Sequence, residues 1–258
     1  MHAVREGMTS VGDGSAPSSG SGIRAGTIDV WRARLALPAD ELSRISHCLN
    51  DEERQRMARL HFQGDRDRFL ASRGLLRHIL ASYVDASPGR IRFGYAPRGK
   101  PFLLEHPDLR FNLSHAADLL VVAVAAGREL GVDVEQVFSE AVMSEVSGVV
   151  LSDPELATLE GLDPGERRDW FVRLWTRKEA YIKADGQGMA LRLDHIDVTT
   201  RPGRVQVRGE TPEDWLLSPQ WAVRAIPVAS GYRAALTAEG FDWRVNCVDW
   251  PTDPRVQP

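Results

Sequence analysis

The spacing of apolar residues along this chain predicts a mixture of helices and strands. The clearest helical pattern lies in and just before the stretch Trp175–Gly188. Apolar residues recur there every three to four positions: Trp170, Phe171, Leu174, Trp175, Tyr181 and Ile182. Gly186 and Gly188 follow and are expected to end the helix. Strict alternation over 129–135 predicts a strand instead, with Leu130, Val132 and Val134 on one face. Both element types are therefore expected to contribute to the core.

The N-terminal part of the chain predicts strands on either side of a helical stretch. An opening strand is expected over 28–37, and Asn50 begins a helix because it can cap the first turn, which also carries three acids. A longer helix is expected over 65–83. Shorter strands follow at 91–95 and 119–125.

The C-terminal part repeats a related pattern. Helix and loop are predicted over 139–162, and strands separated by Pro/Gly turns are predicted at 196–199, 204–207, 221–226 and 232–237. The sequence from Tyr232 to Ala238 echoes that from Leu119 to Ala125, which suggests an internal duplication.

Composition narrows the class of protein. The chain has 258 residues, of which 43% are apolar and 26% charged, and this is ordinary for one large globular domain or two small ones. A net charge of -4 gives no case for a nucleic-acid binder. Two cysteines without metal-binding spacing favour a reducing cytoplasm, and no apolar run approaches the length of a membrane span. Residues 1–26, rich in Gly and Ser, are expected to form a flexible tail, and residues 242–258 a loose end.

Two groups of acidic residues carry candidate chemistry. Glu179 and Lys183 are one helical turn apart, which is either an exposed salt bridge of about 0.3 to 0.5 kcal/mol or part of a site. Asp133 and Glu135 project from the same face of a predicted strand, where like charges repel. These two acids either form an exposed polar face or hold a hard divalent cation such as Mg²⁺.

Basic residues form a second group. Arginines are frequent in the two N-terminal helices, where they are either solvated or hold phosphate: Arg54, Arg56, Arg59, Arg66, Arg68, Arg73 and Arg77. The turn 96–101 brings Arg98 and Lys100 together, which suits an anion but also fits an exposed basic turn. Ser114 precedes His115 without a Gly-x-Ser-x-Gly elbow, so a hydrolase is not indicated. The histidine is either a phosphate ligand or a packed side chain.

Four motifs in this order resemble the signature set of the 4'-phosphopantetheinyl transferases. They are Gly99-Lys100-Pro101, the segment 111–115, the segment 131–135 and the segment 175–183. The resemblance covers about 54–236, and the chain length fits the larger, surfactin-synthetase-activating type. It implies an α+β fold with a pseudo-twofold duplication of two similar α/β halves, at 27–128 and 129–241, with the active site in the cleft between them.

The resemblance also implies the reaction. A transferase of this family moves the phosphopantetheine arm of coenzyme A to a serine of an acyl-, peptidyl- or polyketide carrier protein and releases adenosine 3',5'-bisphosphate. The acids that match Asp133, Glu135 and Glu179 hold Mg²⁺, with Mn²⁺ as an alternative. Glu179 is expected to act as general base, and Lys183 to stabilise or protonate the leaving phosphate. Asp133 completes the expected catalytic set.

Binding residues follow from the same resemblance. Those expected to contact coenzyme A are Arg56, Arg98, Lys100, Ser114, His115, Asp133, Glu179 and Lys183, with Arg73 and Arg77 adding to a basic lining. Glu53 departs from relatives that have a lysine there, which puts nucleotide affinity in question. The region 139–162 is expected to dock the carrier protein, and the chain is expected to be a cytoplasmic monomer with no nucleic-acid or membrane partner.

Other functions remain possible on the residues alone. A coenzyme A-binding module without catalysis would need the basic residues but not Asp133, Glu135 or Glu179. A magnesium-dependent phosphohydrolase would need the acids but not the separate anion sites at Arg56 and Lys100. A structural protein would need neither group.

Overall fold

The computed structural model describes residues 23–186, 191–199, 203–208 and 215–251. The N-terminal half contains strand β1 and three helices, followed by two short strands and a hairpin: β1 Thr27–Arg34, α1 Ala39–Ser46, α2 Asp51–Ala58, α3 Gln63–Ala81, β2 Phe93–Tyr95, β3 Pro101–Leu103, β4 Leu109–Ala116 and β5 Leu119–Ala126. A single 3₁₀ turn, Pro88–Arg90, separates α3 from β2.

The C-terminal half repeats this order and adds one strand: β6 Leu130–Gln136, α4 Glu140–Val150, α5 Asp153–Gly161, α6 Pro164–Asp185, β7 Ile196–Asp197, β8 Arg204–Arg208, β9 Trp215–Ile226, β10 Tyr232–Glu239 and β11 Arg244–Asp249. A 3₁₀ turn, Leu193–His195, precedes β7. No helix within the described ranges is long and apolar enough to cross a membrane.

Strand pairing repeats as well. One sheet has the order β11-β1-β5-β4 and the other β6-β10-β9-β8-β7, while β2 and β3 pair separately. In the N-terminal half β1 pairs antiparallel with β5, which pairs in turn with β4; in the C-terminal half β6 pairs antiparallel with β10, which pairs in turn with β9. The predicted α+β fold with two similar halves is therefore confirmed in element order and strand pairing.

A long helix covers one face of each main sheet. Leu75, Leu76, Ile79 and Leu80 of α3 are fully buried in one cluster with Trp31 and Val122. In the other half, α6 buries Phe171, Val172 and Ala180 against β9 and β10. These apolar stripes recur at three- to four-residue spacing, which is why the sequence alone predicted both helices.

The predicted helix ends are confirmed where a local signal sets them. Asn50 accepts a hydrogen bond from the Glu53 backbone, and the Glu53 carboxylate accepts one from the Asn50 backbone, which forms a capping box. At the C-terminal end of α6, Gly186 has a φ of 73° and terminates the helix, a conformation that favours glycine.

Two predictions of local structure were incomplete or wrong. Helix α1 was not predicted, and the segment 242–258 is not simply a loose end, because β11 pairs in parallel with β1. Trp243 and Trp250, which flank β11, are 1% and 8% exposed. A parallel partner that lies more than 200 residues away leaves no signal in the local sequence. Of the predicted N-terminal tail, residues 1–22 lie outside the described residues.

Helix α6 lies directly on β6 at Gly131. A Cβ atom at this position would overlap the Ala180 carbonyl oxygen and the Ala184 nitrogen, both of which are backbone atoms that no rotamer change can move. Only glycine permits this close approach of α6 to β6, the strand that carries Asp133 and Glu135.

Gly131→Ala is therefore expected to lower the free energy of unfolding by about 1 to 3 kcal/mol, as overpacking does, and to separate α6 from β6. Chemical denaturation measures this change. Gly165→Ala, in the first turn of α6, is the matched control because nothing lies within 4 Å of its new methyl group. Equal stability of the two variants would contradict the close contact.

Candidate active site

Side chains from both halves meet where β4, β6 and α6 come together. The Lys183 ammonium lies 2.6 Å from Asp133 Oδ1 and 2.9 Å from the Ser114 hydroxyl. That hydroxyl donates to Asp133 Oδ1 at 2.9 Å. Ser114 belongs to the N-terminal half and the other two residues to the C-terminal half, so the structure brings these three predicted site residues together at the junction of the halves.

The backbone supports this junction next to the charged groups. Asn112, two residues before Ser114 on β4, accepts a hydrogen bond from the Val132 nitrogen of β6 at 3.0 Å. Because Asn112 is buried, this bond fixes the spacing of the two strands. The Phe-Asn-Leu-Ser-His motif thus contributes a structural asparagine as well as the serine of the site.

Lys183 does not form the simple helix-surface pair that its spacing from Glu179 allowed. Its ion pair is with Asp133, which is 50 residues away in the chain and only 3% exposed. A charged hydrogen bond to a buried carboxylate is stronger than an exposed pair on one helix. Lys183 therefore belongs to the hydrogen-bonded group at the junction of the two halves and is not a simple surface residue of α6.

The three acids share one electrostatic environment. Burial, together with the negative charges of Asp133 and Glu179 and against the effect of Lys183, raises the pKa of Glu135 to about 7. Burial also raises the pKa of Glu179, again with a contribution from Asp133. Carboxylates that lie close together repel one another, and this repulsion contributes to the raised pKa values.

Asp133 has one oxygen that the protein does not satisfy. Its Oδ2 atom is buried and has no hydrogen-bond partner, which costs about 1 to 3 kcal/mol for such a group. An unsatisfied carboxylate oxygen beside two further carboxylates fits a hard divalent cation with oxygen ligands. Within the described ranges, however, no three His, Cys, Asp or Glu side chains are already arranged as a metal site.

Positive charge lines the other side of this junction. His115 is exposed beside Ser114, and desolvation followed by the charges of Lys183, Arg73 and Arg68 lowers its pKa. Arg73 and Arg56 lie 5.9 and 5.7 Å from the centre of the Phe69 ring. We call Arg56, Arg68, Arg73 and His115 the basic wall; its three arginines carry the positive charge that suits an anion, because the lowered pKa of His115 favours the neutral imidazole.

Lys100 lies close to the site but its ammonium is engaged. It contacts Glu129 Oε2 at 2.8 Å, the Ala184 carbonyl at 3.0 Å and the Leu130 carbonyl at 3.1 Å. These bonds join the 96–101 turn to β6 and to the last turn of α6. Arg98, on the same turn, is exposed.

Two residues have roles that the sequence did not reveal. Arg77 is fully buried and donates to Glu53 at 2.9 Å and to the Ile91 carbonyl at 2.8 Å, so its predicted place in a basic lining is wrong. Glu53, which departs from relatives that have lysine there, is the buried partner of that arginine and caps α2. Its acidic character therefore has a structural explanation.

The fold and the site together define a two-half α+β protein in which carboxylates lie at the junction of the halves, beside a basic wall. Comparison with known proteins agrees. The family model described as 4'-phosphopantetheinyl transferase superfamily matches residues 129–237, and the model described as 4'-phosphopantetheinyl transferase, N-terminal, matches residues 36–127. The chain belongs to the 4'-phosphopantetheinyl transferase family.

Two individual relatives support this assignment. The chain is similar to 4'-phosphopantetheinyl transferase HetI of Nostoc sp., with 32% identity over 84% of this chain and 90% of the relative. It is also similar to 4'-phosphopantetheinyl transferase Sfp of Bacillus subtilis, with 29% identity over 80% of this chain and 89% of the relative. A holo-(acyl-carrier-protein) synthase from Bacillus anthracis, solved in complex with CoA (3',5'-ADP), matches with a TM-score of 0.32 and 16% identity over 43% of this chain and 94% of its own.

Proposed function

We propose that this protein transfers the phosphopantetheine arm of coenzyme A to a serine of an acyl- or peptidyl-carrier protein and releases adenosine 3',5'-bisphosphate. The observation that carries this proposal is the junction of Ser114, Asp133 and Lys183, which joins the basic wall to three carboxylates. Family membership supports the same reaction.

Coenzyme A would bind through its phosphates and its adenine. Guanidinium groups match phosphate oxygens in bidentate fashion, and Arg56 and Arg73 stand beside Phe69, an aromatic surface next to the same charges. Ser114 and His115 would contact the phosphates nearest the carboxylates, with exposed Arg98 as a further ligand. Lys100 would contribute its charge while its ammonium holds the end of α6.

Asp133, Glu135 and Glu179 would hold Mg²⁺, or Mn²⁺ in its place. The unsatisfied Oδ2 of Asp133 and the all-oxygen donor set support this assignment. When bound, the ion would neutralise charge on the phosphate under attack and on its leaving group.

The residues of the chain would then manage the proton and the leaving group. The carrier serine oxygen forms a bond to the phosphorus that bears the pantetheine, and the bond from that phosphorus to the bridging oxygen breaks. Glu179 accepts the serine proton as the general base. Lys183, held by Asp133, stabilises the departing adenosine 3',5'-bisphosphate.

The carrier would dock on helices α4 and α5. Val142 and Val149 of α4 are 43% and 70% exposed, and apolar side chains at this level of exposure suit a protein partner. As the family resemblance implies, we further propose that the protein works as a monomer in the cytoplasm and serves fatty-acid, polyketide or nonribosomal-peptide carriers.

Intact-mass spectrometry tests the proposed reaction. Purified apo carrier protein incubated with this protein, coenzyme A and Mg²⁺ is expected to gain the mass of one phosphopantetheine group, and a chelator is expected to abolish the gain. No gain with any carrier in a panel drawn from the three pathways, despite measurable coenzyme A binding, would favour a non-catalytic binding module instead.

A further inference from the structure

A second charged cluster lies behind the site, at the residue before the proposed general base. Lys178 of α6 is fully buried, and its ammonium lies 2.5 Å from Glu155 Oε2. It also donates to the Val150 carbonyl at 2.8 Å and to the Leu193 carbonyl at 2.9 Å. All three ammonium protons are therefore directed at protein acceptors.

Each acceptor belongs to a different segment. Val150 is the last residue of α4, where carbonyl groups lack intrahelical partners and a cation is favoured. Glu155 lies in the first turn of α5, and its Oε2 also accepts a hydrogen bond from the Ser152 backbone nitrogen at 2.9 Å. Leu193 begins the 3₁₀ turn before β7. One ammonium thus joins α4, α5 and the Leu193 turn to the catalytic helix.

Stability alone is a poor reason for this arrangement. Two charges buried together lose hydration that their attraction often fails to recover, and apolar residues of similar volume usually serve a core as well or better. Helices α4 and α5 contribute few buried residues of their own, namely Met143, Val150, Glu155 and Leu159, with Val146 and Leu156 partly buried against the same core. The directional bonds of Lys178 therefore add to a limited apolar contact in placing these helices on α6.

We propose that Lys178 is a positioning residue that, with Glu155, fixes the docking surface of α4 and α5 relative to Glu179, so that the serine of a docked carrier reaches that carboxylate. This inference rests on the proposed function. Lys178 does not itself contact substrate in this arrangement; it acts through the placement of two helices and of its neighbour in α6.

The test distinguishes a positioning role of Lys178 from a role in protein stability alone. Lys178→Met leaves Glu155 buried without its cation and is expected to be destabilised, whereas the double variant Lys178→Met/Glu155→Gln removes both charges, keeps a side-chain oxygen that can accept from the Ser152 nitrogen, and is expected to recover thermal stability. In the double variant, kcat/KM for the carrier protein is still expected to fall by about 10-fold to 100-fold, the scale of a misplaced reacting group. Coenzyme A affinity, measured by calorimetry, is expected to stay within about twofold of the wild type.

The matched control is Arg173→Met, which removes an exposed cation that pairs with Asp169 on the same helix. It is expected to leave both kcat/KM and coenzyme A affinity unchanged. A stable double variant with the wild-type kcat/KM would overturn the proposal, because the ion pair would then serve stability alone. A parallel loss of coenzyme A affinity would overturn it too, since the cluster would then act through the nucleotide.

Hydrogen exchange distinguishes failure of this inference from failure of the proposed function. If the wild-type protein transfers nothing to any carrier, the proposed function is wrong, and the positioning role is judged from backbone exchange in the double variant. Faster exchange confined to 150–156 and 193–196 supports it. Wild-type exchange rates in both segments would overturn it.

Discussion

Glu179→Gln is expected to slow phosphopantetheine transfer by about 100-fold to 10,000-fold, the range for loss of a general base. Glutamine keeps the size of the side chain but cannot accept the serine proton. Coenzyme A affinity is expected to remain near the wild-type value, because the basic wall of Arg56, Arg68, Arg73 and His115 is untouched. Single-turnover transfer to an apo carrier measures the rate, and calorimetry measures the affinity.

Glu166→Gln provides the matched control for this variant. It makes the same change on the same helix, at an exposed position in the first turn of α6, and is expected to transfer at the wild-type rate. Near-normal turnover of Glu179→Gln would remove Glu179 from the proton transfer. A large loss of coenzyme A affinity would assign it to nucleotide binding instead.

Asp133→Asn is expected to reduce transfer by about 100-fold or more and to weaken activation by Mg²⁺ in the same variant. Asparagine retains one carbonyl oxygen for the Ser114 hydroxyl. It loses the negative charge that pairs with Lys183 and the second carboxylate oxygen, which is buried without a partner. Titration of Mn²⁺ by electron paramagnetic resonance measures ion binding directly, and transfer assays over a range of Mg²⁺ concentrations measure activation.

Asp108→Asn is the control for this second change, because Asp108 is an exposed carboxylate in the turn before β4. It is expected to leave Mn²⁺ binding and transfer unchanged. An Asp133→Asn variant that binds Mn²⁺ as the wild type does would place the ion elsewhere. A variant that loses the ion but keeps the wild-type rate would show that transfer does not need it.

Local patterns predicted most helices and strands correctly. The apolar stripes of α3 and α6, the alternation in β6, the Asn50 cap and the Gly186 stop are all properties of a few consecutive residues, and the structure confirms each of them. The duplication was also visible, as a faint echo between β5 and β10, because equivalent buried strands need similar apolar residues.

Local patterns did not predict elements or pairs that depend on distant partners. Strand β11 lies in a short segment with several polar residues and prolines, and it pairs with β1, which lies at the other end of the chain. In the sequence Arg77 resembled the other arginines of α3, yet it is buried against Glu53, 24 residues away. In the sequence Lys178 was only one residue of the 175–183 motif. Its structural role is visible only from its hydrogen-bond acceptors in three other segments.

The sequence by itself determined the family, most of the elements and the set of candidate residues, because motif identity and side-chain periodicity are encoded locally. The tertiary structure decided which of these residues meet. Lys183 pairs with Asp133, 50 residues away, because the missing side chain of Gly131 lets α6 lie directly on β6. Ser114 joins that pair because β4 of the other half packs beside β6. Side-chain partners depend on such packing, and packing is a property of the whole fold.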